Sequence, residues 1–283
     1  MNLKKPKFWD NPKLTFFAIL FLPFTWFFLL LSFFTKFKST AKFEIPIICV
    51  GNIYIGGTGK TPLTIEIYKI LKLLGKNPGF VKKYYDYLND EIEMLKRVGE
   101  TFVNKNRKKA ISFLIDSNKD LAILDDGFQD FSIKKDISIL CFNSKQWIGN
   151  GLVIPSGPLR EKIESIKRAD CILINGNKNK IIEEKINKVN NKVKIFYSKY
   201  KIANLDQFKN KKILAFAGIG NPSNFFDLLK ENNINIIKTY SFADHHNYTQ
   251  VDLKNIKEEK IDFEKIVTTE KDYFRINDEQ KKD

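Results

Sequence analysis

Residues 51–62 read GNIYIGGTGKTP, a cluster of glycines closed by a lysine and a threonine. Gly56, Gly57 and Gly59, with Thr58 between them, let the main chain wrap closely around an anion. Lys60 brings a cation to the outer phosphates of a nucleotide, and the hydroxyl of Thr61 suits a Mg2+ ion beside them. The usual phosphate-binding loop carries a further glycine at the position held here by Tyr54. The stretch DLAILDDG (120–127) ends an apolar run in two acids, Asp125 and Asp126. An acid at the end of a neighbouring strand completes the metal site of such loops. Adjacent strand residues point to opposite faces, so one aspartate meets the metal through Thr61. The other holds a water, orients the loop or meets a second metal.

The sequence has two histidines, His245 and His246, in FADHHNYT. Phosphoryl transfer to an alcohol benefits from a base that takes the hydroxyl proton, and a histidine backed by a carboxylate is one solution. By itself the pair beside Asp244 reads equally as a metal site or a surface loop. NDEIEML (89–95) adds an acidic pair, Asp90 and Glu91, which taken alone is a helix start with acids in its first turn.

These residues need elements to position them. IPIICVGN (45–52) predicts a buried strand before the glycines, followed by a helix with Leu63, Ile67, Ile70, Leu71 and Leu74 at helical spacing and Gly75 at its end. DLAILDDG, DISILCF and DCILIN read as further buried strands with helical patterns between them. That alternation predicts a parallel sheet covered on both faces. A polar stretch at 176–210 places a domain boundary near 200. A second alternation follows: KKILAFAGIGNPSNFFDLLKENN is strand, glycine turn and helix, with Asn221 and Pro222 as N-cap and first helical residue, and IIKTYSF and KIVTTEKD are further strands. The expected fold is thus two α/β/α domains, a P-loop domain over 37–200 and a smaller α/β domain over 201–283.

Residues 14–35, LTFFAILFLPFTWFFLLLSFFT, hold no charge over 22 positions. They are long enough for an uncleaved N-terminal membrane helix, an anchor over residues 1–36. Pro23 is tolerated in such a setting. Spanning and shallow insertion both remain open. Lys4, Lys5, Lys7 and Lys13 flank one side and Lys36, Lys38 and Lys42 the other, so flanking charge sets no orientation. A nucleotide site requires the cytoplasmic side for everything after residue 36. The formal charge of +15 suits an anionic partner, whether nucleic acid, acidic lipid or a phosphorylated ligand. The Lys/Asn/Ile-rich composition accounts for it equally well. A nucleic-acid binder leaves GGTGKTP and DDGFQ unexplained, so no nucleic-acid partner is expected. Cys49, Cys141 and Cys171 sit in apolar runs without C-x-x-C spacing and read as buried thiols.

Taken together, VGNIYIGGTGKTP, NDEIEML, LDDGFQD, GNGLVIPSGPLRE, FADHHNYT and VTTEKD occur in the order and approximate spacing of the tetraacyldisaccharide 4'-kinase (lipid A 4'-kinase) family, which the chain resembles from its apolar segment to about residue 275. The unusual loop spelling is normal for that family. The resemblance implies transfer of a phosphate from ATP, with Mg2+, to the 4'-hydroxyl of a tetraacylated glucosamine disaccharide 1-phosphate, a lipid A disaccharide precursor. It implies two α/β domains joined by a hinge, contact with inner-membrane lipids, and work at the cytoplasmic face of the bacterial inner membrane. By motif, Lys60 and Thr61 would bind phosphates and Mg2+, and Asp125 and Asp126 would complete the metal site with Gln129 beside them. Asp90 would pair with the motif histidine, His245 ahead of His246, to activate the sugar hydroxyl. Glu91 and Glu161 match acidic positions near the nucleotide and metal. The sequence departs from the family at Asp130, where a histidine is usual, and at 79–89, which lacks an Arg-Gly-Tyr-Gly stretch. A membrane-tethered P-loop ATPase that switches or drives a partner is the alternative, and it would need no Asp90–histidine pair.

Overall fold

The computed structural model describes residues 5–35, 39–277 and 279–281; Lys4, Lys36 and Lys38 of the basic flanks lie outside these. The chain divides into two compact units. One comprises 5–85 and 95–199, the other 86–94 and the residues from 200 onward. The segment 86–94, which the sequence reading groups with the P-loop domain, thus belongs with the smaller unit.

The larger unit is built on a seven-stranded parallel sheet. Its strands are β1 (Ile47–Gly51), β2 (Pro78–Lys83), β3 (Thr101–Asn104), β4 (Leu121–Asp125), β5 (Ile137–Asn143), β6 (Cys171–Asn175) and β7 (Lys194–Ser198). Their order in the sheet is β3-β2-β4-β1-β5-β6-β7. β1 and β4 are buried along their whole length, which explains their near-continuous apolar sequences, since a parallel sheet is covered on both faces. The register sets Val50 of β1 beside Asp125 of β4. From β1 the chain builds β2, β3 and β4 on one side and β5, β6 and β7 on the other. The C-terminal end of β1 is therefore a topological switch point, the place where open α/β sheets take their ligands. The connecting helices include α3 (Lys60–Leu73), α5 (Arg107–Asp116) and α6 (Lys180–Val189).

The expected continuous membrane helix is corrected. The apolar segment forms two helices, α1 (Phe16–Leu20) and α2 (Leu22–Thr35). At 1.5 Å per residue the 14 residues of α2 reach about 21 Å against the ~30 Å of a hydrocarbon core. Among the described residues no helix is long and apolar enough to cross a membrane. The break has a cause in Pro23, which has no N–H to donate and whose ring crowds the preceding turn, so a new helix starts beside it. Thr25 is buried and donates its hydroxyl to the Val153 carbonyl, while Trp9 Nε1 donates to the Pro155 carbonyl. These bonds fix one side of the segment to the 150–158 loop. The other side presents large apolar side chains to solvent, with Phe16 74% and Trp26 76% exposed.

The smaller unit has a three-stranded parallel sheet of β8 (Lys212–Ala217), β9 (Asn235–Ser241) and β10 (Lys265–Val267), in the order β10-β8-β9. Its helices are α7 (Pro222–Glu231), α8 (Gln250–Lys257) and α9 (Glu270–Tyr273), and α4 (Asn89–Lys96) begins in its 86–94 segment. Asn221 precedes α7 without capping it through its side chain, which instead accepts from the Ser223 hydroxyl. The EKD end of the last predicted strand is helical. Thr269 accepts from the Asp272 N–H and starts α9.

Candidate active site

In the larger unit the loop after β1 rises to the N-terminus of α3. Gly59 is the residue before that helix and adopts φ +92°, a conformation that side chains with a Cβ rarely hold. Asn52, fully buried, braces the loop from inside, its Nδ2 lying 2.6 Å from the Tyr54 carbonyl and 3.0 Å from the Thr58 hydroxyl. Tyr54 explains the altered spelling. Its backbone pairs with Leu159, its ring is buried, and its hydroxyl donates to Asp10 and accepts from Lys5. The position is thus extended and tethered, with no turn for a glycine to make. Burial and the Asp10 carboxylate push the Tyr54 phenol well above its ordinary range.

The two aspartates converge on this loop from β4. Asp125 is fully buried. It accepts from Thr61 Oγ1 at 3.1 Å, Thr64 Oγ1 at 3.2 Å and Lys82 Nζ at 2.6 Å. Both members of the Lys82–Asp125 pair are buried, so removing the lysine strands a charge, a loss of about 3–5 kcal/mol. Asp126 turns the other way through φ +56°. Its carboxylate takes both oxygens' bonds from Arg160 Nη1, at 2.8 and 3.0 Å, and lies 4.0 Å from Lys60 Nζ. Burial alone would raise the Asp126 carboxyl, but Lys60, Arg160 and Lys82 outweigh it and hold the group well below the usual carboxylate range. The DDGFQ turn packs directly on β1. A Cβ on Gly51 would lie 2.5 Å from that of Phe128, which requires glycine at the strand end. Gln129 Nε2 donates to the Asn52 carbonyl and so joins the turn to the phosphate loop.

The structure brings Lys60, Thr61, Asp125, Asp126 and Gln129 together. Glu161, next in the chain to Arg160, is buried and chelated by Arg168 Nη2 at 2.8 and 2.6 Å, and that guanidinium stacks over Phe128 of the DDGFQ turn. Among the described residues no three His, Cys, Asp or Glu side chains gather as a metal-binding cluster. A hydroxyl and two carboxylates beside a phosphate loop nonetheless fit Mg2+, which keeps several waters and takes phosphate oxygens instead of an all-protein cage. Lys82 and Arg107 escape a motif reading, while Arg160 lies inside the GPLRE motif with no role read for it there. Arg107 Nη2 donates to the Asp126 carbonyl and Nη1 to Asp130. Asp130 is half-buried, and although that burial disfavours its ionised form, the Ser132 hydroxyl and Arg107 bring its carboxyl below its ordinary value. The one signal for Lys82 is a lysine pair closing the apolar run GFVKK.

In the smaller unit Asp90 and His245 meet. Asp90 is buried at the start of α4, and its Oδ1 accepts from the Glu91 N–H. His245 Nδ1 is 3.3 Å from Asp90 Oδ2. The His245 backbone is left-handed, φ +56°, with its N–H on the Gly218 carbonyl. Burial works against ionisation of Asp90, but the His245 bond and the charges of Lys271 and Arg275 bring its carboxyl below the ordinary value. Glu91 Oε1 lies 3.2 Å from Lys271. His246 points elsewhere. Its Nε2 is 3.0 Å from Asp252, the residue that completes the capping box of α8, and its ring stacks on Phe242. The adjacent histidines are therefore not interchangeable.

A sequence model of the Tetraacyldisaccharide-1-P 4'-kinase family, LpxK, matches residues 17–89 and 86–283. The chain is similar to a Tetraacyldisaccharide 4'-kinase of Pelagibacter ubique, 44% identical over 98% of this chain and 89% of that protein. It is 32% identical to that of Bartonella quintana over 98% of this chain and 86% of the relative. The fold resembles the crystal structure of LpxK from Aquifex aeolicus in complex with ATP, with a TM-score of 0.67 and 23% identity over 92% of this chain and 90% of that one. The match of sequence along nearly the whole chain, with the phosphate loop and the aspartate–histidine pair in place, assigns the chain to the tetraacyldisaccharide-1-P 4'-kinase family.

Proposed function

We propose that this kinase transfers the γ-phosphate of ATP to the 4'-hydroxyl of a tetraacyldisaccharide 1-phosphate, at the cytoplasmic face of the bacterial inner membrane. The observation that carries the reading is the convergence of Lys60, Thr61, Asp125 and Asp126 at the N-terminus of α3. Backbone N–H groups and the helix dipole there favour an anion, and Lys60 adds a full charge against the outer phosphates. Lys60 sits near Asp126 in the structure, so a bound triphosphate would share the lysine with that carboxylate. Thr61 with Asp125 and Asp126 would hold Mg2+, which when bound neutralises charge on the transferring phosphate. Asp90 and His245 supply the proton acceptor for the sugar hydroxyl.

The apolar faces of α1 and α2 suit the membrane surface. Short helices with one anchored side and a solvent-facing array of Phe, Trp and Leu would lie in the headgroup region, where an acyl-chain-bearing acceptor presents its sugars. Lys5, Lys7 and Lys13 would favour anionic lipid there. Binding to vesicles of zwitterionic and anionic lipid tests this: Phe16→Ser with Trp26→Ser should cut vesicle binding several-fold, and unchanged binding removes the surface-docking reading. The transfer itself is tested with γ-labelled ATP and the disaccharide 1-phosphate in detergent. Label at the 4' position supports the assignment, whereas ADP formed equally with and without the lipid replaces it with an ATPase.

A further inference from the structure

Tyr54, which stands where a phosphate loop usually has its first glycine, holds the loop from below. Its buried ring lies beneath Gly56, at whose φ of +119° an added Cβ would sit 3.9 Å from the ring carbon Cε1. Its carbonyl accepts from Asn52 Nδ2, the nitrogen that also lies 3.0 Å from the Thr58 hydroxyl. The next residue, Ile55, donates its N–H to the Pro158 carbonyl at 2.8 Å. A shift of the ring is therefore a shift of the segment that carries Gly56 and Thr58.

The far end of the ring reaches the start of the chain. The phenol donates to Asp10 Oδ1 at 2.6 Å and accepts from Lys5 Nζ at 2.5 Å, and those two side chains form an ion pair at 2.5 Å. This clasp is open to water, with the Asp10 side chain 46% exposed, whereas the ring that it holds is buried. Between Lys5 and Asp10 the residues Lys7–Trp9 make one helical turn that faces two ways. Phe8 stacks on Phe17 of α1 and on Phe21 at the end of that helix, with centroids 6.1 and 6.2 Å apart. Trp9 donates from Nε1 to the Pro155 carbonyl, and its own carbonyl accepts from the Asn150 N–H at 2.8 Å. The segment 5–10 thus joins the apolar helices at Phe8 to the phosphate loop at Tyr54.

We propose that Tyr54 is a positioning residue for the nucleotide and that, through it, the affinity of the phosphate loop for ATP depends on whether α1 and α2 are seated on a lipid surface. This rests on the surface-docking reading above. The two helices present large apolar side chains to water, and seating them on lipid restricts their motion and that of Phe8, which packs on them. That order passes along the segment to the clasp. A loop already held at Tyr54 gives up less freedom when it closes on phosphates, so lipid and nucleotide favour each other's binding. The coupling is reciprocal by linkage. Phenylalanine at this position would keep the ring beneath Gly56 and leave the Lys5–Asp10 pair in place, but it would cut the bond between them.

Vesicles of mixed zwitterionic and anionic lipid test this, with ATP and Mg2+ titrated calorimetrically into the protein free and vesicle-bound. The unmodified chain should bind the nucleotide at least about five-fold more tightly on vesicles, and saturating nucleotide should tighten vesicle binding by the same factor. Tyr54→Phe should bind vesicles as the parent does and show the same nucleotide affinity with and without them. The variant carries the parent's charge, so the field of the anionic lipid acts on ATP equally in both. No change in the parent, or the same change in both proteins, overturns the proposal. If Tyr54→Phe does not fold, Asp10→Ala loosens the exposed end of the clasp and is run through the same titrations. A parent that does not bind vesicles overturns the surface-docking reading instead, and one that binds no nucleotide overturns the phosphate-loop reading. In either case hydrogen exchange without lipid still decides the clasp: Tyr54→Phe should speed exchange of the amides of residues 55–58 several-fold, and unchanged exchange overturns the role of Tyr54.

Discussion

The phosphate loop and the aspartate–histidine pair solve opposite problems. The first holds a multiply charged group with parts from one short stretch: Gly59, Lys60 and Thr61 are consecutive, and β4, the strand carrying the aspartates, is the direct neighbour of β1. The second gathers Asp90, His245, Lys271 and Arg275 from positions as far as 185 residues apart. Both regions place a charged or titratable residue in the left-handed region, Asp126 and His245. Such backbone persists where the surroundings fix it, and here Arg160 and the Gly218 carbonyl do so. The loop is a local device whose strength comes from backbone geometry. The pair is a long-range device whose strength comes from side-chain charge.

That contrast is open to attack, beginning with the largest effect. Lys60→Ala should lower phosphate transfer by at least about 1,000-fold, comparable to losing an electrostatic clamp on a transferring phosphate, while circular dichroism stays native. Turnover near the parent's would remove the loop from the chemistry. His245→Ala should cost about 100-fold or more in kcat. His246→Ala should instead lower thermal stability through the lost Asp252 contact and leave kcat within a few-fold, so equal kinetic effects would erase the distinction drawn between the neighbours. Within the loop, Gly59→Ala should destabilise by about 1 kcal/mol, because alanine must take φ +92°. At Gly57 φ is not left-handed and an added Cβ meets nothing within 4 Å, so Gly57→Ala should be close to neutral in the absence of nucleotide.

The smallest effect concerns pH. The carboxyls of Asp90, Asp126 and Asp130 all titrate below their ordinary value in the folded chain. Their contribution to stability is therefore complete above the ordinary carboxylate range and is lost as pH falls through that range toward their folded values. Arg160→Met should move the acid unfolding midpoint to higher pH. A midpoint that stays put would show that Arg160 does not hold Asp126 ionised.

Legibility in the sequence followed the same divide. The strands before the glycines and the aspartates, and the helix closed by Gly75, could be read because each is a contiguous apolar run with its own punctuation. Lys82 could not, because a lysine at the end of a buried strand carries no local sign that Asp125 lies across the ladder. Lys271 was hidden in a segment that reads as a strand, where only Thr269 as a cap betrays the helix, and Arg275 lies just beyond it with no motif around it. His245 and His246 are alike in sequence, and what separates them is which carboxylate the tertiary fold sets beside each ring. The apolar N-terminal segment misled through its length. Hydropathy reports the lack of charge, whereas Pro23 and the buried Thr25 hydroxyl decide that it folds as two short helices against the 150–158 loop.

The claim on which the rest depends is that the loop at the start of α3 grips a triphosphate. Calorimetric titration of ATP with Mg2+ into the protein and into Lys60→Ala addresses it directly. The account predicts saturable one-site binding to the unmodified chain, weakened at least about ten-fold by the substitution, as expected for losing a charge-assisted contact. No heat of binding at saturating nucleotide, or the same affinity with and without Lys60, would contradict it.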